Sequence, residues 1–289
     1  VKLNAKTLPS NCVVITIDDG WYSTFSAHKI FTKYDFSYTI YVTSYYTLKE
    51  IPVLNVVLRY LIWSISSSSN LIKLDLLQLP FIKGSLSHLE LNNNEVLYRE
   101  LIEHFDSLQT NTKKNEFIND LSNLLGVDYE GIQTQRNLSL LTFSEINYLS
   151  YQKVDIQLHT HRHTLPFHDN EKIKEEINEN KFYLSPYVYN KLEHFCYPSG
   201  KYTPDCESIL RDMGIKSATT CEPGFITEKT NRYYLPRFLD SENIHQIIFE
   251  AEVCGVLDFA RASRRFIKTI ITYALRILKP QKHSLYKLR

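Results

Sequence analysis

The chain has few of the features that mark special classes of protein. Its 289 residues include only 8 Gly and 10 Pro, too few for a collagen-like sequence or a Gly-rich linker. Lys and Arg number 33 against 32 Asp and Glu, so the formal net charge of +1 excludes a wholly basic nucleic-acid binder and an acidic disordered chain. The hydrophobic content of 43% is instead typical of a soluble globular protein.

Cysteine pairs with the spacing of a zinc site are also lacking. The five cysteines form no C-x-x-C pair and their number is odd, which argues against a disulfide framework and against a cysteine zinc site. We therefore expect free, buried thiols at these positions: Cys12, Cys196, Cys206, Cys221 and Cys254.

No apolar run is long enough to cross a bilayer. The longest, residues 51–63, contains Asn55 and Arg59, whereas a bilayer core of about 30 Å requires about 20 apolar residues. This run predicts a buried helix. The N-terminal sequence VKLNAKTLPSN lacks the apolar core of a secretory signal, which predicts a cytoplasmic location. Because the chain begins with Val, a removed leader stays an open alternative.

Strands and helices alternate in two parts of the chain. Short β-branched runs predict strands at residues 12–17, 37–42, 154–158 and 194–197. Helical patterns separate them at residues 23–33, 143–151 and 171–184, with Ser23 and Thr142 as predicted caps. This alternation predicts an α/β fold with parallel strands.

Only helical patterns lie between the two parts. They occupy residues 53–63, 95–108 and 116–125. We predict a barrel formed by residues 1–44 and 141–240, a helical insertion at 45–140, and a C-terminal helical basic tail at 241–289. The insertion would either elaborate the packing of the barrel or serve as a substrate lid.

Polar clusters follow two predicted strands. Asp18 and Asp19 end the first, and His159, His161 and His163 follow the strand at 154–158. Adjacent carboxylates repel each other, which a cation would relieve. Two histidines and one carboxylate favour Zn²⁺, or Fe²⁺, Co²⁺ or Ni²⁺, with open coordination positions that indicate catalysis. Taken singly, each cluster also fits a plain turn or structural histidines.

Three segments together resemble a known family. Thr16-Ile17-Asp18-Asp19-Gly20, His159-Thr160-x-x-His163 and Phe195-Cys196-Tyr197-Pro198-Ser199-Gly200 are similar, in that order, to the first three motifs of the polysaccharide deacetylases, the NodB-homology carbohydrate esterases. The resemblance covers roughly residues 10–44 and 140–240. It implies a distorted (β/α) barrel of seven or so strands and a metal-dependent hydrolase that removes N-acetyl groups from an amino sugar or polysaccharide.

The resemblance also implies roles for individual residues. Asp19, His159 and His163 would hold the metal, and Asp18 would be the general base. The backbone N–H of Ser199 would stabilise the tetrahedral oxyanion.

The chain departs from the family pattern in two places. Cys196 stands where many members have an arginine that orients the base, and Arg237 is a candidate replacement, as related exopolysaccharide deacetylases suggest. The Leu-x-x-His motif that supplies the family's general acid is absent after the third motif. His168 and His194 flank recognised motifs, but each also reads as an ordinary polar histidine, so the general acid is unassigned.

Charge is distributed unevenly along the chain. Nine basic residues and no acids lie between Phe259 and Arg289, which leaves residues 1–258 with a net charge of −8. Apolar residues in the same stretch predict an interfacial helix on an anionic membrane surface, at the inner face of the membrane. A C-terminal helix packed on the barrel is the competing interpretation, and no nucleic-acid partner is expected.

These observations lead to one hypothesis and one alternative. The hypothesis is a carbohydrate N-deacetylase of surface-glycan metabolism that uses Zn²⁺ or a similar divalent metal and an N-acetylated carbohydrate substrate. The alternative, motivated by the missing arginine and general acid, is a catalytically inactive barrel that acts as a glycan-binding or regulatory module.

Overall fold

The computed structural model describes residues 12–65, 94–241 and 243–261. Its central sheet has five strands: β1 (Ile15–Ile17), β2 (Tyr38–Val42), β3 (Asp155–Leu158), β4 (His194–Cys196) and β5 (Ser217–Thr219). The sheet is accompanied by the α-helices α1 (Ser23–Lys33), α2 (Tyr45–Lys49), α3 (Leu54–Ile65), α4 (Asn94–Ser107), α5 (Asn111–Leu125), α6 (Tyr129–Thr134), α7 (Phe143–Tyr151), α8 (Asn170–Leu184), α9 (Cys206–Asp212) and α10 (Gln246–Val253).

All five strands are parallel and lie side by side in chain order. The sheet curls into a half-barrel, which confirms the predicted fold class. The described residues supply five of the seven or so strands expected, and Leu235 adds a single parallel bridge to Thr219 beyond β5. Since the strands run in one direction, their carboxyl ends share one edge of the sheet.

The first strand is shorter than predicted. Its register pairs Ile15 with Tyr38, the first residue of β2, so the residues before Ile15 have no partner strand. Val13 and Val14 are accordingly exposed. The prediction that Ser23 caps α1 was wrong, because Tyr22 occupies the cap position and no side chain caps the helix.

Hydrogen bonding at the cap explains where two other helices begin. Thr142 and Glu145 form a reciprocal capping box at α7, whose bounds are those predicted. In α5 the helix begins at Asn111, five residues before the predicted start, because the Thr110 side chain accepts a hydrogen bond from the Lys113 N–H.

Two apolar cores form in the described residues. One is built on the sheet, with the side chains of Ile40, Ile156 and Phe195 fully buried. The other lies among α3 to α6, around Leu58 and Ile118. The two cores fall within the stretches predicted as barrel and insertion, and the division into domains itself stays a prediction.

All five cysteines are free, as expected, but only two are buried. Cys196 and Cys206 lie in the core, whereas Cys12 and Cys254 are exposed because they lie in a segment before β1 and at the end of α10. The expectation of buried thiols was therefore wrong for these two and also for Cys221, which is half-buried.

The C-terminal part of the described chain is largely exposed. Helix α10 has no buried residue, and the predicted tail beyond Arg261 lies outside the described residues. Across residues 12–65, 94–241 and 243–261, every helix is too short or too polar to span a bilayer.

Candidate active site

The candidate active site lies at the carboxyl edge of the sheet. Asp18 and Asp19 follow β1, His159 follows β3, and Cys196 is the last residue of β4. Parallel pairing places these strand ends together, so residues far apart in the sequence become neighbours.

A tight turn presents the two aspartates. Asp19 and Gly20 have φ of 68° and 82°, a region that only glycine adopts without strain. A Cβ at Gly20 would lie 3.3 Å from both γ carbons of Val42. Backbone hydrogen bonds from Thr43 N to Asp19 O and from Leu141 N to Gly20 O hold the turn in place.

Asp19, His159 and His163, here called the ligand side, converge on one point. Asp19 Oδ1 lies 3.1 Å from His159 Nε2 and 3.2 Å from His163 Nε2. One donor atom from each residue lies within 4.8 Å of the others. The Oδ1 atom is buried yet accepts no hydrogen bond from any described residue, whereas Oδ2 accepts one from Trp21 Nε1.

The orientation of the His159 ring is set by the main chain of β4. Its Nδ1 lies 2.7 Å from the Cys196 carbonyl oxygen, an acceptor, so Nδ1 carries a proton and donates it to that oxygen, while Nε2 faces Asp19. The His159 side chain is buried, while His163 is 41% exposed. This leaves the ligand side open to solvent at His163.

His161 is not part of the ligand side. Its Nδ1 lies 2.8 Å from Ser44 Oγ, and its ring stacks on Tyr183 with centroids 5.0 Å apart. The side chain of His161 therefore points toward Ser44, whereas those of His159 and His163 point toward Asp19.

Asp18, Cys196 and Arg237 form the other half, here called the base side. Arg237 donates from Nη1 to Asp18 Oδ1 and from Nη2 to Asp18 Oδ2, both at 2.8 Å. The Cys196 thiol lies 3.4 Å from Asp18 Oδ2 and 3.2 Å from Arg237 Nη2. A bidentate pair of this kind fixes the position of the carboxylate and also favours its ionised form.

Arg237 also connects the two ends of the curled sheet. It follows Leu235, which pairs with Thr219 beyond β5, yet its Nη1 donates to Thr16 Oγ1 in β1 at 2.9 Å. A further hydrogen bond from Nε to Thr220 O, also 2.9 Å, fixes the plane of the guanidinium. The arginine is therefore held from three directions.

The electrostatic environment keeps both carboxylates ionised. Burial raises the pKa of Asp18, but the hydrogen bonds and charge of Arg237 outweigh it and the pKa is lower than usual. Burial likewise opposes the effect of His159 and His163 on Asp19, whose pKa is also lowered. Burial and the neighbouring His159 lower the pKa of His163, so a neutral ring is favoured near pH 7.

Ser199 lies in the turn that follows β4. It is exposed and has φ of 56°, while Gly200 beside it has φ of 68°. A Cβ at Gly200 would lie 2.6 Å from Cys221 Cβ and 2.9 Å from Cys221 N, so only glycine fits there. The role of the Ser199 N–H as an oxyanion donor stays a prediction.

The two alternative histidines lie outside the cluster. His194 is the first residue of β4, at the opposite end of the strand from Cys196, and its Nδ1 lies 2.7 Å from Ser217 Oγ. His168 is exposed in the turn before α8. Neither joins the ligand side or the base side.

Four non-glycine residues of the site have positive φ: Asp19, Thr160, His163 and Ser199. Such conformations cost about 1–3 kcal/mol each and persist where the surrounding structure fixes them.

The sequence prediction missed Trp21, whose Nε1 donates to Asp19 Oδ2. Its position directly after Asp-Asp-Gly was a signal that could have found it.

Comparison with known proteins identifies a similar family and similar solved structures. The polysaccharide deacetylase family profile matches residues 133–218, which include His159, His163 and Ser199. No curated protein shows significant similarity to the chain. Among solved structures, the Streptococcus pyogenes deacetylase PplD in complex with acetate is 15% identical with a TM-score of 0.50, over 86% of this chain and 73% of that one.

Two further structures are similar at lower scores. The de-N-acetylase from Aggregatibacter actinomycetemcomitans is 11% identical with a TM-score of 0.48, over 85% of this chain and 76% of that one. IcaB from Ammonifex degensii is 15% identical with a TM-score of 0.45, over 86% and 73%. The likeness to PplD is one of fold. The profile match to part of the chain and the shared fold confirm the predicted resemblance to the polysaccharide deacetylases and the enzyme class predicted from it, a carbohydrate N-deacetylase.

Proposed function

We propose that the protein is a metal-dependent hydrolase that removes N-acetyl groups from an amino sugar or polysaccharide. One observation carries this proposal. The buried oxygen Asp19 Oδ1 lies between two histidine nitrogens without a hydrogen bond, while the adjacent Asp18 is fully engaged by Arg237. One carboxylate is therefore available to a cation and the other to a proton.

The residues present fit a divalent metal. A buried carboxylate oxygen without a hydrogen bond is costly, and a cation between Asp19, His159 and His163 would relieve that cost. Two imidazoles and one carboxylate suit Zn²⁺, with Co²⁺, Ni²⁺ or Fe²⁺ as alternatives. The bond from His159 Nδ1 to a main-chain carbonyl is the outer contact typical of metal-binding histidines.

Chemistry at the site would divide between the metal and the protein. When bound, the metal would supply Lewis-acid activation of water and of the substrate carbonyl. Asp18 would accept the proton of the attacking water as general base, which requires it to be ionised and correctly oriented. Arg237 would secure both conditions, because it donates to both carboxylate oxygens.

The turn at Ser199 would complete the site. Its backbone N–H would donate to the oxyanion that forms when the acetamide is attacked. The leaving amine also needs a proton, and the general acid remains unassigned among the described residues. Asp18, having accepted the proton of the attacking water, would be able to return it to the leaving amine.

An N-acetylated carbohydrate is the proposed substrate, in keeping with the family, and surface-glycan metabolism is the proposed setting. The test is acetate release from chitooligosaccharides and other N-acetylated glycans after the purified protein is loaded with Zn²⁺ or Co²⁺. We expect release that a chelator abolishes and added metal restores. Glycan and metal binding without acetate release, across a broad panel, would instead support an inactive binding module.

We further propose that the C-terminal region rests on an anionic membrane surface, on the cytoplasmic side. Support comes from the exposed apolar residues Ile247, Val256 and Phe259, which are 64%, 60% and 76% exposed. The sequence continues with basic residues and no acids to the end of the chain. Apolar side chains next to positive charge are typical of segments that bind at a lipid interface.

Flotation with liposomes tests this placement. The full chain should float with phosphatidylserine vesicles and not with phosphatidylcholine vesicles. Replacing Arg264, Arg265 and Lys268 together with glutamine should weaken binding, since each basic residue contributes about 1 kcal/mol near an anionic surface. Equal flotation of both forms, or none, would remove the proposal.

A further inference from the structure

A buried polar network lies behind the ligand side, on elements that the chemistry does not use. It consists of Ser44 after β2, His161 in the loop after β3, and Asn180 in α8. All three residues are buried, with exposures of 0%, 3% and 0%. Polar groups at such depth need partners, and here they are one another and the main chain of the ligand loop, residues 159–163.

Asn180 joins three parts of the molecule. Its Oδ1 accepts a hydrogen bond from the His159 N–H at 3.0 Å. Its Nδ2 donates to Val42 O at 3.0 Å and to Ser44 Oγ at 2.9 Å. The end of β2 and the first residue of the ligand loop are thus held by one side chain.

Ser44 connects this amide to His161. Its Oγ lies 2.9 Å from Asn180 Nδ2 and 2.8 Å from His161 Nδ1. The main chain of His161 is held as well, because its N–H donates to Glu176 O and its carbonyl accepts from Tyr45 N. The ligand loop is therefore fixed at His159 and again at His161.

This fixation matters because the loop is conformationally unfavourable. Thr160 and His163 have φ of 64° and 55°, which non-glycine residues avoid. The loop turns His161 inward and His159 and His163 toward Asp19. The inward bonds at His159 and His161, together with a bond from the Arg162 N–H to Glu176 Oε2 at 2.7 Å, hold the loop in this arrangement.

We propose that Ser44, His161 and Asn180 are positioning residues that hold His159 and His163 in the geometry that binds metal. The proposal rests on the proposed metal-dependent function. It assigns a role to the middle histidine of the His159–His163 segment, which is buried but lies outside the ligand side. The chemistry concerned is that of first-row divalent cations on imidazole and carboxylate, so metal affinity is the property that the network should control.

The test is Co²⁺ binding to the full chain, measured by calorimetry and by the visible absorption spectrum of the bound ion. Ser44→Ala removes the central hydroxyl. We expect Co²⁺ affinity to fall on the order of 10- to 100-fold, as for other contacts that orient metal ligands, with an altered spectrum. Activity at saturating metal is a secondary readout.

Ser217→Ala is the matched control. It also removes a serine hydroxyl bonded to a histidine Nδ1, that of His194 at 2.7 Å, but at the opposite end of β4. Both variants should lose a similar few degrees of thermal stability, while only Ser44→Ala should lose metal affinity. Equal Co²⁺ affinity and an unchanged spectrum in Ser44→Ala would overturn the proposal.

A second pair of variants covers the case in which Ser44→Ala does not fold. His161→Asn keeps a polar atom near the position of Nδ1 and should largely preserve Co²⁺ binding, whereas His161→Leu should weaken it. Equal affinities in this pair would contradict the proposal.

Failure of the metal site itself is distinguishable. In that case the wild-type protein would bind no Co²⁺, and both proposals would fall. Binding that Asp19→Asn abolishes and Ser44→Ala leaves intact would contradict the positioning role alone.

Discussion

Asp18 and Asp19 are adjacent in the chain, yet their surroundings are opposite. Both oxygens of Asp18 accept hydrogen bonds from Arg237, whereas Asp19 faces two histidines with one buried oxygen that has no hydrogen bond. Residue type does not distinguish the two carboxylates. Their partners do, and these come from β3, from β4 and from the segment after β5. These different partners are the basis for the proposed division of roles, with metal binding on the ligand side and proton transfer on the base side.

The largest effect should come from neutralising each aspartate in turn. Asp18→Asn and Asp19→Asn should each lower kcat by about 10³-fold or more, since a positioned general base alone contributes 10²- to 10⁴-fold. Only Asp19→Asn should also lose Co²⁺ binding. Acetate release and Co²⁺ titration of both variants measure this. Loss of Co²⁺ binding in both variants would contradict the claim that Asp19 binds the metal and Asp18 does not.

Removal of Arg237 should damage the base side alone. Arg237→Gln should lower kcat by about 10²-fold and leave Co²⁺ affinity unchanged. Arg237 holds the pKa of the partly buried Asp18 down, so its loss raises that pKa and moves the acidic limb of the kcat/KM profile to higher pH. Arg211→Gln, at an exposed arginine paired with Glu207, is the control. An unshifted limb in Arg237→Gln would contradict the assignment of Asp18 as base.

The turn beside the base side should tolerate no side chain at Gly200. Gly200 and Gly126 share a φ of 68°, but a Cβ at Gly126 would meet nothing within 4 Å. Gly126→Ala should cost about 1–2 kcal/mol from the backbone alone. Gly200→Ala should cost about 1–3 kcal/mol more, because its Cβ would overlap Cys221. Urea denaturation measures both, and equal losses would show that the turn can move.

The smallest effect should come from the Cys196 side chain. Its thiol contacts Asp18 and Arg237, whereas its carbonyl oxygen bonds His159. Cys196→Ala should therefore lower kcat by a few-fold and leave Co²⁺ affinity unchanged, with Cys196→Ser closer to wild type. A clear loss of Co²⁺ affinity in Cys196→Ala would mean that the thiol also supports the ligand side.

The order of elements and the identity of the strand ends could be predicted from the sequence. Short β-branched runs that stop at polar residues mark buried parallel strands, and Thr142 with Glu145 marks the start of α7. The convergence of Asp19, His159 and His163 also followed from the three motifs. Strand pairing then places them at one edge, as parallel topology requires.

Tertiary context determined what the sequence could not predict. The first strand begins only where its partner strand begins, and α1 begins without a side-chain cap despite Ser23. Helix α8 carries a sequence signal of such tertiary contacts. Glu176 and Asn180 interrupt the buried stripe of Ile173, Ile177 and Leu184. Polar residues at buried positions of a helix indicate contacts with another part of the chain, but not which part.

A crystal structure of the protein soaked with Zn²⁺, with anomalous scattering at the zinc edge, tests the central claim most directly. The account predicts one strong peak bound by Asp19, His159 and His163, with Asp18 still paired to Arg237. A peak bound to Asp18 in place of Asp19, or no peak at this edge of the sheet, would contradict it.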